Sequence, residues 1–178
     1  GGNESAAARA LLLLGRLCQH QNDHERASVY LEQARAEFDR LSDRKGVADA
    51  LGSLGTVFSF RGEHERALQC YNVWLRISTD LRDRASMARA SGNIGIVHAS
   101  RDQFEEAMEH FNTQLRLSRA LGNRRGEARA LSNMGNVHAT LWECEQALEC
   151  YGMNLRICQE LGERQGEARA HGNIGGVY

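Results

Sequence analysis

Small and apolar residues crowd one side of the helical wheel through the stretch that begins at Ala88. At 100° per residue Ala88, Ala90, Ser91, Ile94, Gly95, Val97 and His98 share one half, and Arg89, Asn93 and Ile96 fall on the other. This predicts a helix with a broad packed side and a narrow opposite stripe. The pattern recurs as GVADALGSLG (46–55), SMARASGNIG (86–95), GEARALSNMG (126–135) and GEARAHGNIG (166–175), always 40 residues on, and an earlier copy, ARALLLLG (8–15), keeps the register. A fixed period between about 20 and 50 residues marks a solenoid, in which each unit buries its face on its neighbour.

Between these segments lies a second amphipathic stretch with an alanine at Ala27, Ala67, Ala107 and Ala147 and a bulky apolar residue four positions later, at Leu31, Tyr71, Phe111 and Tyr151. The first stretches carry Gly15, Gly55, Gly95, Gly135 and Gly175 after a large apolar residue. Glycine inside a helix costs about 1 kcal/mol relative to alanine, so these positions predict close approach of the paired helix. Gly122 and Gly162 read as helix stops, and Asp83 or Asn123 as caps of the helix that follows. The helices are placed at 5–20, 24–41, 44–61, 64–81, 84–101, 104–121, 124–141, 144–161 and 164–178.

These residues resemble the tetratricopeptide repeat. The resemblance spans nearly the whole chain and implies an all-α fold, a right-handed α-solenoid of antiparallel helical hairpins. It divides a single array over 1–178 into 5–41, 44–81, 84–121 and 124–161, with 164–178 as the first helix of a truncated fifth repeat. The array is expected to continue beyond the sequence. Tetratricopeptide repeats usually run about 34 residues and close their second helix with proline; the longer period and the lack of proline predict a longer second helix here. GEARA followed by GNxG resembles, more narrowly, the forty-residue repeats of the LGN/Pins polarity adaptors.

Composition trims the functions to consider. With no proline, 25% charged residues and 6% aromatics, the chain suits continuous helix. A net charge of -1 gives no bulk field for nucleic acid or an anionic membrane. No apolar run approaches the roughly 20 residues of a membrane span and no signal peptide opens the chain, so a cytoplasmic protein is expected. Cys18, Cys70, Cys144, Cys150 and Cys158 show no paired spacing and read as free thiols. Gly1-Gly2 take no part in the repeat pattern.

The glycines recur as packing positions with no GxxxxGK[ST], so they predict no nucleotide loop. His98 and His138 stand one repeat apart without further ligands and read as packing residues, not metal ligands. No cysteine or serine is set beside a base and an orienting group, so no enzyme, metal or cofactor is expected.

The stripe facing away from the core carries the remaining chemistry. One level reads Arg9, Asp49, Arg89, Arg129 and Arg169; four residues on come Leu13, Ser53, Asn93, Asn133 and Asn173; a turn later Arg16, Thr56, Ile96, Asn136 and Gly176. Asparagine amides both donate to and accept from an extended backbone, and arginine forks match carboxylates. Arg89, Asn93, Arg129, Asn133, Asn136, Arg169 and Asn173 are therefore the candidate groove for an extended, partly acidic peptide of a protein partner, the use the LGN/Pins resemblance also implies. Leu12, Leu13 and Phe60 predict an apolar pocket beside it. The alternatives are a structural or self-associating segment, joined through Ile174, Val177 and Tyr178, and the regulatory arm of a larger signalling enzyme. A binding groove should leave its arginines without carboxylate partners, whereas a spacer should neutralise them.

Overall fold

The computed structural model describes residues 2–177. Among them the elements are α1 (Gly2–His20), α2 (His24–Arg40), α3 (Arg44–Phe60), α4 (His64–Asp80), α5 (Arg84–Ala99), α6 (Phe104–Ala120), α7 (Arg124–Thr140), α8 (Cys144–Leu161) and α9 (Arg164–Gly175), with no strand. All bounds fall within three residues of those the periodicity predicts. The expected longer second helix is corrected. First helices α3, α5 and α7 have 17, 16 and 17 residues, and second helices α2, α4, α6 and α8 have 17, 17, 17 and 18, so the extra length is shared.

What keeps the period constant is the turn. Residues 22, 42, 62, 82, 102, 122, 142 and 162 all adopt positive φ, and the next backbone N–H reaches back to the carbonyl five residues before it, as Asp43 N–H does to Phe38 (2.8 Å) and Asn123 N–H to Ser118 (2.9 Å). This left-handed closure satisfies carbonyls that the helix end leaves open. Glycine fills it only at Gly62, Gly122 and Gly162; Asn22, Ser42, Arg82, Asp102 and Trp142 take it elsewhere. The residue that follows caps the next helix when its side chain is short. Asp23, Asp43, Asp83 and Asn123 accept from the backbone N–H three residues on, at 2.9–3.1 Å. Glu63, Gln103, Glu143 and Glu163, one methylene longer, make no such bond.

The chain divides into two compact units at Asn93–Ile94, within α5. In the first, Ala27 and Ala67 are fully buried, Leu31 and Tyr71 nearly so, and a methyl added to Gly15 or Gly55 would stand 2.6 Å from Leu31 Cγ or 2.5 Å from Tyr71 Cε1. The second repeats the device: Ala107 and Ala147 are buried, and a methyl at Gly95 or Gly135 would stand 2.6 Å from Phe111 or 2.5 Å from Tyr151. These distances lie far inside van der Waals contact, so the helices of each hairpin approach only because the side chain is absent. Gly175 has nothing within 4 Å. No helix among the described residues is long and apolar enough to cross a membrane.

Candidate functional site

Helix periodicity puts the candidate residues on one stripe of each first helix. In the first unit the stripe is chemically mixed. Arg9 is exposed, and it lines a cleft of about 320 Å³ with Leu12, Phe38, Asp43, Lys45, Gly46 and Asp49, which sets two cations against two carboxylates. Arg16 donates to Ser53 Oγ (3.1 Å), and Thr56 Oγ1 donates to the Gly52 carbonyl and accepts from Tyr71 O–H (3.2 Å). Burial pushes the Tyr71 phenol up to about 12, so it stays a neutral donor. Arg89 is exposed, lies over the Trp74 ring at 5.1 Å, and has no carboxylate partner among the described residues; Asn93 beside it is half-buried.

Leu12, Leu13 and Phe60 do not meet in one pocket. Leu12 is buried and borders the cleft that Phe38, Gly46 and Asp49 also line, Leu13 is 64% exposed, and Phe60 is 71% exposed and stacks on His24 at 5.6 Å. Leu12 turns inward because its place is on the packed side of the repeat, where Gly52 and Gly92 are also buried.

In the second unit the stripe is basic and opens into two clefts that share Asn133. The first, about 230 Å³, is lined by Arg125, Ala128, Arg129, Ser132, Asn133, Asn154, Cys158, Glu163, Gly166 and Arg169. Three guanidiniums face one carboxylate there, and that carboxylate, Glu163, is ion-paired to Arg125. Arg169 is exposed without an ion pair among the described residues. The buried Gln114 amide, with its oxygen toward Arg129, accepts from Nε and Nη2 at 3.1 and 3.2 Å and holds that guanidinium in place. Behind the cleft Asn154 Nδ2 donates to the Ala128 carbonyl (2.7 Å). Burial raises the Cys158 thiol, which therefore stays an unreactive thiol.

The second cleft, about 280 Å³, is lined by Ile96, Ala99, Asp102, Phe104, Phe111, Asn133, Asn136, Val137 and Thr140. Its floor is apolar and its edge carries amides. Asn136 Oδ1 accepts from Tyr151 O–H at 2.8 Å, so this amide is oriented by its own hairpin. Asn133 differs: its Nδ2 is sheltered from solvent and has no hydrogen-bond partner. Asn173 and Ile174 are half-buried on α9, as is Val177 just beyond it, while Tyr178 lies outside the described residues. The periodicity had brought out Ile96 and Asn136 as stripe positions but not the socket they form with Phe104 and Phe111, which belong to the following helix.

His98 and His110 stack at 5.6 Å with rings 8° from parallel, and His98 Nδ1 lies 3.1 Å from Gln103 Oε1. No cluster of three or more metal-ligating side chains occurs among the described residues.

A similar fold recurs in solved structures of low identity. BtubC (BKLC) from P. vanneervenii superposes with a TM-score of 0.86 at 20% identity, over 98% of this chain and 73% of that one. Aspartyl phosphate phosphatase F from Bacillus subtilis gives 0.87 at 14%, over 98% and 49%. A signal transduction ATPase with numerous domains and a tetratricopeptide repeat sensor, from Pyrococcus horikoshii, gives 0.87 at 14%, over 98% and 27%. The chain thus spans about half of the phosphatase and about a quarter of the ATPase. No curated protein matches the sequence. The sequence profile of the Tetratricopeptide repeat matches residues 6–80 and 86–152, so with its hairpins, buried alanines and glycine contacts the chain belongs to the tetratricopeptide repeat family.

Proposed function

We propose that this chain is a protein-interaction module whose first-helix stripe holds an extended, partly acidic segment of a partner, with Arg129, Asn133, Asn136, Arg169 and Asn173 as the contacts in the second unit, and with Arg89 and Asn93 as the corresponding stripe residues of the first. The observation that carries this is Asn133. A sheltered amide donor without a partner costs about 1–3 kcal/mol, and it sits in a cleft where guanidiniums outnumber carboxylates three to one. Asparagine χ2 is soft, so a small turn of the amide offers Nδ2 to a ligand carbonyl. The exposed Arg89 and Arg169 without carboxylate partners further support a binding face over a neutralised spacer. The GEARA and GNxG strings, which resemble the LGN/Pins repeats, favour the same peptide chemistry.

Fluorescence anisotropy against a library of acidic peptides tests this reading. Asn133→Ala should weaken binding by about 1–3 kcal/mol and Arg169→Ala by less than about 1, with a salt dependence. Arg40→Ala on α2, where Arg40 already pairs with Glu37 and Glu4, should change nothing. Equal, negligible effects of all three would reject the face.

A further inference from the structure

The two clefts of the second unit have different chemistry and a fixed separation, and together they specify more than an acidic peptide. One is a basic notch between α7 and the start of α9, with Arg125, Arg129 and Arg169 against Glu163. The other is an apolar socket between α7 and the end of α5, with Ile96, Ala99, Phe104, Phe111 and Val137. Asn133 belongs to both.

Resting on the peptide-binding reading above, we infer that the ligand is an extended segment bearing one aliphatic side chain and one carboxylate about four residues apart, with its backbone crossing Asn133. The spacing follows from helix geometry. The α7 residues lining the two clefts are centred about seven residues apart, ~11 Å at 1.5 Å per residue. The clefts also open on opposite sides of α7, a sideways offset of roughly one helix spacing, ~9 Å. The diagonal is ~14 Å, which an extended chain spans in about four residues, and residues i and i+4 of such a chain point the same way. Both side chains then enter their clefts from one face of the peptide.

The same amide favours an extended backbone over a helical one. Helical carbonyls are consumed by their own i+4 bonds, whereas an extended segment keeps carbonyls for a donor such as Asn133 Nδ2. The socket takes an aliphatic side chain because its floor is carbon, and Asp102 at the rim would repel a second carboxylate. The notch takes the carboxylate because its charge is net positive.

The test uses the whole chain and synthetic twelve-residue peptides with Leu-x-x-x-Glu in a serine-rich background, in both directions, read by anisotropy. In the preferred direction, Leu→Ser or Glu→Gln in the peptide should each weaken binding about tenfold, as should closing the spacing to adjacent positions. In the Ile96→Ser chain the Leu→Ser change should lose less than about twofold while Glu→Gln keeps its effect, and Arg169→Gln should show the reverse. Ile96 and Arg169 are exposed, and circular dichroism verifies that both variants fold. If acidic peptides bind through Asn133 but are indifferent to the leucine or to spacing, the two-cleft inference is wrong and the groove reading stands. If no acidic peptide binds at all, both fall.

Discussion

In the first unit a methyl at Gly55 would stand 2.5 Å from Tyr71, and in the second a methyl at Gly135 would stand 2.5 Å from Tyr151. Inside the hairpins the two units are built alike, yet their surfaces differ. The cleft on the first unit's stripe mixes signs, with Arg9 and Lys45 beside Asp43 and Asp49, and Arg16 is occupied by Ser53. Another cleft, about 490 Å³, is formed by α2, α3 and α4 and mixes Glu32 and Asp39 with Arg35, Arg44 and Arg76 beside apolar Val47, Leu51, Leu54, Val73 and Ile77. Of the first unit's sheltered polar atoms without a partner, Trp74 Nε1 and Ser78 Oγ are sealed in residues 1% exposed, as Ser118 Oγ is in the second unit, whereas Asn133 Nδ2 stands at a cleft of net positive charge. Packing between helices constrains the alanine, glycine and aromatic positions, and leaves the stripe to vary with what each unit meets.

The shared skeleton is open to a direct comparison. Gly55→Ala and Gly135→Ala should each destabilise the chain by about 1–3 kcal/mol, because overpacking against a ring exceeds the roughly 1 kcal/mol that alanine gains as a helix former. Denaturant unfolding measures both. Effects that differ by more than about 1 kcal/mol, or a net stabilisation, would show that the rings yield and that the two hairpins are not alike.

The same contrast explains what could be read from the sequence. Ala147, Gly135 and Tyr151 were legible because one packing constraint repeats at one spacing. So were Asp83 and Asn123 as caps, since their short side chains reach only the local backbone. Phe104 and Phe111 as walls of the socket were not legible, because they reach it from the second helix of the hairpin and single-helix periodicity carries no such information. Nor was the fate of Leu12, which turns inward. The left-handed turns were half legible: Gly122 and Gly162 announced themselves, but Arg82 and Trp142 occupy the same conformation without any signal in their type.

Glu127 belongs to the second unit; in the first, Val47 and Met87 hold the equivalent places. It is buried, and accepts from Arg119 Nε (2.8 Å) and Arg124 Nη1 (2.6 Å), tying α6 to α7. Burial alone would raise its pKa, but the two guanidiniums outweigh this and lower it. Glu127→Ala should cost about 1–2 kcal/mol, since the exposed arginines regain water, whereas Met87→Ala should show no dependence on salt. A Glu127→Ala chain as stable as wild type would remove this distinction between the units.

The turns give a smaller effect. Trp142 is 87% exposed with φ 60° and Arg82 has φ 54°, so neither side chain compensates its backbone by burial. Trp142→Gly and Arg82→Gly should each raise stability by about 0.5–1 kcal/mol, since left-handed backbone costs L residues about 1 and glycine nothing. A loss at Trp142 matched by a gain at Arg82 would mean that the indole is held by contacts the turn geometry does not reveal.

The smallest expected difference is one of pH. His110 is half-buried on α6, stacked on His98 and flanked by Glu109; burial, then the neighbouring imidazole, lowers its pKa below 6.5, against a smaller opposing pull from Glu109. The fold therefore favours neutral His110, and the stability this preserves is complete above pH 6.5 and declines as pH falls from there through the folded value, because the unfolded chain then binds the proton more readily. Asp83 works in another window: its carboxyl, lowered by hydrogen bonds from the Ser86 backbone and hydroxyl, gives stability that is lost only as pH falls below its ordinary value of 3.8. Between pH 7.5 and 5.0 the His110 contribution should thus appear separately, at a few tenths of a kcal/mol to about 1. In the first unit Phe58 and Cys70 hold the equivalent places and cannot take up a proton in this range. His110→Gln should flatten the dependence of the unfolding free energy on pH across that interval while leaving the response below pH 4 unchanged. An identical slope in wild type and variant would return the acid sensitivity to groups outside the stacked pair.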